Sequence, residues 1–130
     1  MIPLWSEALQ EISELVVDAY DCACDLGDVA MLEVAARRSV ESVGATVVKV
    51  SYHAFQPHGL TLVLILQESH FILSTWPEHG MCIVNVFLCN TQMDAEHVWK
   101  EFSKALKPGE VETKKVVHRI GRAVKKKKSA

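Results

Sequence analysis

The sequence predicts an α+β fold: a two-layer sandwich in which one antiparallel sheet carries two helices on one face. Three observations point there. Only two segments space their apolar residues by threes and fours, and six others read as strands. The strands between the two helices are joined by turns too short for a crossover, so neighbours run antiparallel. The resulting order is β-α-β-β-β-β-α-β.

The elements follow in order. Residues 12–20 (Ile-Ser-Glu-Leu-Val-Val-Asp-Ala-Tyr) are β-branched and apolar enough for a strand. Asp28 suits a helix N-cap, and Val29, Leu32, Ala36, Val40 and Val43 then mark one buried helical face, so a helix is expected over 28–43. Gly44 stands where a helix-ending glycine belongs. Residues 46–55 read as a strand, and Gln56-Pro57-His58-Gly59 as a turn. Residues 60–66 are almost continuously apolar, the mark of a central strand covered on both faces. Residues 70–76 alternate, with Phe71, Leu73 and Thr75 opposite His70, Ile72, Ser74 and Trp76. Pro77-Glu78-His79-Gly80 is a turn before an apolar strand over 81–89. Asp94 caps a helix over 94–106 with Val98, Phe102 and Ala105 as its stripe; Pro108-Gly109 ends it, and 111–118 supplies the last strand.

The chain's 130 residues make one domain, expected over 1–120, with a basic tail over 121–130. An apolar fraction of 49% and a charged fraction of 23% are those of an ordinary globular protein. No apolar run reaches the roughly 18 residues that cross a bilayer, and the start lacks a basic signal-peptide region, so a cytoplasmic protein is expected. Cys22, Cys24, Cys82 and Cys89 form no CxxC pair, and the six histidines form no HxxxH or HxH pair, so no metal site is expected. Residues 1–113 hold 16 acidic and 6 basic side chains, whereas 114–130 hold 8 basic and no acidic ones. The run Lys125–Lys128 is the kind of patch that binds nucleic acid or anionic membrane, but a solvated tail is the preferred reading because nothing large and apolar follows Val124, and neither partner is expected. Helices on one face of the sheet leave the other face apolar, which favours a second copy packed sheet to sheet, a homodimer.

Gln67-Glu68-Ser69-His70 interrupts two strand patterns with four polar residues. By pattern alone this is a hairpin as readily as a site. The stretch Glu68-Ser69-His70-Phe71, then Thr75-Trp76-Pro77-Glu78 and a downstream Cys89, resembles the prokaryotic S-adenosylmethionine decarboxylase proenzymes. Asp18–Cys22, Gly44–Val48, Phe55–Thr61 and Val84–Cys89 fall in the order of that family, and the likeness covers roughly residues 12–120.

The resemblance implies a chain that cleaves itself between Glu68 and Ser69. The Ser69 hydroxyl attacks the preceding carbonyl, an ester forms, and β-elimination leaves a pyruvoyl group on residue 69. That covalent cofactor acts as an electron sink, through a Schiff base with the amine of S-adenosylmethionine, and the product serves spermidine synthesis. Cys89 is implied as the general acid, although a thiol at a strand end also reads as plain core. Phe55 and Trp76 would wall the adenosyl group, Phe71 would line the pocket, and Glu78 would bind the ribose hydroxyls. In the family the site lies at a dimer interface.

Three positions depart from the pattern. Ser74 stands where the family carries a histidine that assists the last proton removal, and serine is a far poorer base near neutral pH. Thr61 replaces a serine, and Ser13-Glu14 stand near a missing glycine-histidine pair. Besides a working S-adenosylmethionine decarboxylase, two readings stay open: a decarboxylase retuned to arginine or ornithine, and an unprocessed, non-catalytic homologue that binds a ligand or a partner subunit.

Overall fold

The computed structural model describes residues 10–67 and 69–121. Glu68 and the basic tail beyond Gly121 lie outside the described residues. The elements are β1 (Gln10–Tyr20), α1 (Val29–Glu41), β2 (Val47–Ala54), β3 (Leu60–Leu66), β4 (Ser69–Trp76), β5 (Met81–Phe87), α2 (Ala95–Leu106) and β6 (Glu110–Ile120). They form one six-stranded sheet in the order β2-β3-β4-β5-β1-β6, antiparallel throughout. Both helices lie on one face, so the predicted α+β sandwich is what the chain adopts.

Local chemistry sets the helix ends. The Asp28 carboxylate accepts from the Met31 backbone N–H at 3.1 Å, and the Asp94 carboxylate from that of Glu96 at 2.9 Å. Pro108 disfavours helical backbone at Lys107. Lys107 therefore turns left-handed (φ 51°) and ends α2 one residue before the expected Pro-Gly pair. The buried stripe of α2 is Val98, Phe102 and Leu106; the expected Ala105 is only partly covered.

The core lies between the helices and alternate residues of the strands. Leu60, Leu62, Leu64, Leu66, Phe71, Leu73, Val84 and Val86 are all buried beneath α1 and α2. The Phe71 and Phe102 rings meet edge to face with centroids 5.1 Å apart, both fully buried. Phe102→Ala is expected to cost about 3–5 kcal/mol. Urea unfolding should show this as a lower midpoint at unchanged slope, and an unmoved midpoint would mean that the ring pair is not part of the core.

Two expectations change here. Strand β3 is not central but one in from the edge, and the chain covers only its helix side; Ile65, on the other side, is 43% exposed. A continuous apolar run does not say whether the second cover comes from the same chain. Ser69 is the first residue of β4, paired with Leu66, rather than part of the turn.

The open face carries Val16, Val63, Ile65, Ile72, Ile83, Phe87 and Val116, none of them fully buried. At one end of this face Gly59 (φ 111°) closes the β2–β3 turn, its carbonyl accepting from the Phe55 N–H at 2.8 Å. That geometry suits glycine because no Cβ opposes it.

Candidate functional site

The sequence-predicted residues fall into two groups at opposite ends of β4. In the first, Ser69 and Cys89 line one cavity of about 210 Å³ together with Gly44, Ala45, Thr46, Gln67, Asn90 and Met93. The cavity exists because Gly44 turns the chain sharply after α1 (φ 89°), and because the Gln67 N–H donates to Thr46 O at 3.1 Å. This brings the start of β2, the β3–β4 junction and the segment after β5 together. The Ser69 hydroxyl lies 3.4 Å from Gln67 O, a long contact that leaves it able to turn. Cys89 is 6% exposed.

The second group lines a cavity of about 360 Å³ with Phe55, His58, Gly59, Thr61, Ser74, Trp76 and Glu78 in its walls. Register explains why Thr61 and Ser74 meet: they are cross-strand partners on the open face, with hydroxyl oxygens 3.5 Å apart. Phe55 and Trp76 are 49% and 37% exposed, so both present aromatic surface to a ligand. Glu78 sits in a short 3₁₀ turn (Pro77–His79), its Oε1 3.6 Å from His58 Nε2.

A strand rises about 3.3 Å per residue, so Ser74 lies about 17 Å and Trp76 about 23 Å from Ser69. Within one chain the described residues of the two groups therefore line separate cavities at opposite ends of β4.

Phe71 was expected to line the pocket. It is instead a core residue, because alternation along β4 turns it toward Phe102. Glu68 lies outside the described residues. Sequence reasoning did not pick out Asn90 or His58, each beside a residue it did choose (Asn90 next to Cys89, and His58 in the turn after Phe55). Glu14 and Asn85 were not chosen as site residues either; both face the open side of the sheet, and the hydrogen bond between them joins two strands far apart in sequence.

The other thiols are chemically quiet. Burial pushes the Cys82 thiol well above its ordinary range, and those of Cys22 and Cys24 are raised for the same reason, so they stay protonated at neutral pH. Among the described residues no three His, Cys, Asp or Glu side chains are placed to hold a metal ion, and no helix is long and apolar enough to cross a membrane.

A family model described as S-adenosylmethionine decarboxylase matches residues 13–119. The chain is 33% identical over 109 residues to the S-adenosylmethionine decarboxylase proenzyme of Thermotoga petrophila, covering 83% of this chain and 82% of that protein. Against the proenzyme of Thermosipho melanesiensis it is 36% identical over 90 residues, 68% and 67% of the two chains. The Pseudomonas paraeruginosa proenzyme is 30% identical over 94 residues, covering 72% and 59%. Among solved structures, the adenosylmethionine decarboxylase of Aquifex aeolicus superposes with a TM-score of 0.72 at 26% identity, covering 91% of this chain and 97% of that one.

Proposed function

Because the chain belongs to the S-adenosylmethionine decarboxylase family, we propose that it is a proenzyme that cleaves itself before Ser69 and then decarboxylates S-adenosylmethionine at sites shared between two copies. The product would feed the aminopropyl transfer that makes spermidine. The observation that carries this reading is the division of the site residues between the two ends of β4. One end offers a nucleophile and a buried thiol; the other offers aromatic walls and a carboxylate.

A three-carbon keto group at residue 69 suits the smaller cavity, whose walls include Cys89 and Asn90. When formed, that pyruvoyl group supplies the electron sink for loss of carbon dioxide. The chain's own residues do the rest. Phe55 and Trp76 hold the adenine and face the sulfonium charge with aromatic surface. Glu78 accepts hydrogen bonds from the ribose hydroxyls, and Thr61 and Ser74 place paired hydroxyls beside it. Cys89 donates the proton that ends on the substrate carbon. Aromatic walls with a carboxylate fit a nucleoside better than the bare guanidinium or amine of arginine or ornithine.

Two copies packed through their open faces, about 10 Å apart and related by a two-fold axis running across the strands, would bring the Ser69 end of one over the Trp76 end of the other. A two-fold axis then makes two equivalent sites, each drawing on both chains. It also covers the apolar open face.

Complementation tests the division. Cys89→Ala and Glu78→Ala chains are each expected to be nearly inactive in carbon dioxide release from S-adenosylmethionine. Co-expressed, they form mixed dimers in which one site is wild-type at both halves, and activity should return. Continued inactivity of isolated mixed dimers would mean that each site is built within one chain. Arginine and ornithine as alternative substrates should release no carbon dioxide.

A further inference from the structure

Four side chains on the open face form an unbroken hydrogen-bonded line across β4, β5, β1 and β6. His70 Nε2 lies 2.7 Å from Asn85 Oδ1, Asn85 Nδ2 donates to Glu14 Oε2 at 2.5 Å, and His118 Nε2 lies 2.9 Å from Glu14 Oε1. The Phe87 ring stands between the two imidazoles, its centroid 5.2 Å from that of His70 and 5.8 Å from that of His118. Such a line is costly to leave half satisfied, so its donors and acceptors must agree along its length.

The protons can be assigned from the carboxylate outward. Hydrogen bonds from His118 and from Asn85 hold the Glu14 carboxyl below its ordinary range, so it is ionised at neutral pH. An ionised carboxylate only accepts. Asn85 must therefore turn its amide nitrogen to Glu14 and its oxygen to His70. That oxygen also only accepts, so His70 must carry its proton on Nε2. In the neutral ring this leaves the lone pair on Nδ1, the form in which an imidazole is a base.

We infer that Glu14 is a positioning residue that acts through Asn85 to keep the His70 Nδ1 lone pair open, and that His70 is the base that removes the Ser69 α-proton during self-cleavage. This rests on the proenzyme reading above. His70 follows Ser69 directly, and alternation sends its side chain to the face opposite the Ser69 hydroxyl. After the acyl shift the departing group is the ester on Ser69 Oγ. Once the Ser69 side chain turns its Cβ–Oγ bond anti to the Cα–H bond, the favoured geometry for elimination, the adjoining imidazole can take the α-proton as the ester leaves. Ser74 lies about 17 Å away along the same strand and serves no such role in its own chain.

The step balances. Nδ1 takes the α-proton, the Cα–H electrons become the Cα=Cβ bond, and the Cβ–Oγ bond breaks to release the carboxylate of residue 68. The imidazolium returns its proton to Cβ, turning the enamine into an imine. Water then converts the imine to the ketone, and ammonia leaves.

Two readouts test the inference separately. Imidazole ¹⁵N–¹H correlation on the labelled full chain should show His70 as the Nε2–H tautomer. In Glu14→Gln, whose amide can donate, that preference should collapse to a mixture, whereas Glu14→Asp should retain it. Self-cleavage followed by intact mass should slow by about 10²–10⁴-fold in His70→Ala, with partial rescue by added imidazole. It should slow equally in His70→Gln, which keeps a donor toward Asn85, and to a lesser extent in Glu14→Gln. A native His70 protonated on Nδ1 overturns the positioning role of Glu14, and His70→Gln cleaving at the native rate overturns the base. If the native chain never cleaves, the proenzyme reading fails and the base with it, while the tautomer still decides the role of Glu14.

Discussion

Ser69→Ala is expected to leave one intact 14.5 kDa chain where the native sequence, as the proposed proenzyme, is expected to yield two fragments divided before residue 69. The loss should be complete, because alanine has no atom that can attack the residue 68 carbonyl, and no other hydroxyl lies on the adjoining residues. It should also be chemical rather than structural. The Ser69 hydroxyl makes only a 3.4 Å contact to Gln67 O, and the residue is partly exposed at a strand end. Its removal should move stability by no more than about 0.5 kcal/mol, as for ordinary surface changes. Intact mass and a denaturing gel read the first part; urea unfolding reads the second. A native chain that stays whole after long incubation would instead support a non-catalytic homologue that binds a ligand or a partner subunit.

Cys89→Ala should cleave normally and then fail at the later chemistry, with decarboxylation falling by about 10²–10⁴-fold, the usual contribution of a positioned acid. Cys89 shares a cavity with Ser69 from the segment after β5, and the acyl shift needs only the Ser69 hydroxyl and the preceding carbonyl. The proposed substrate-binding group is the distant one around Trp76, so kcat should fall while KM changes little. Normal turnover in this variant would make Cys89 a core thiol, which its burial alone would equally allow.

Much of this fold was legible because periodicity and capping are local. Asp28 and Asp94 cap the two helices as their positions suggested, and alternation along β4 placed Phe71, Leu73 and Thr75 on one face. Boundaries drifted by a residue or two, as in the long outer strand β6, where exposed polar residues give no pattern to mark an end. Phe71 shows the limit for the site. The family likeness implied a pocket wall there, but Phe71 points to the helix side of β4 and packs on Phe102 in the core.

The sequence alone determined the fold class, the helix N-caps and the residues that carry the family likeness, because these depend on neighbours within a few positions. Only the tertiary structure decided which of them meet. Register set Thr61 against Ser74 and joined Glu14, Asn85 and His70 from three separate strands. Strand rise separated Ser69 from Trp76 by about 23 Å, although seven positions look adjacent in print. The likeness named one site; the extended backbone divided it in two.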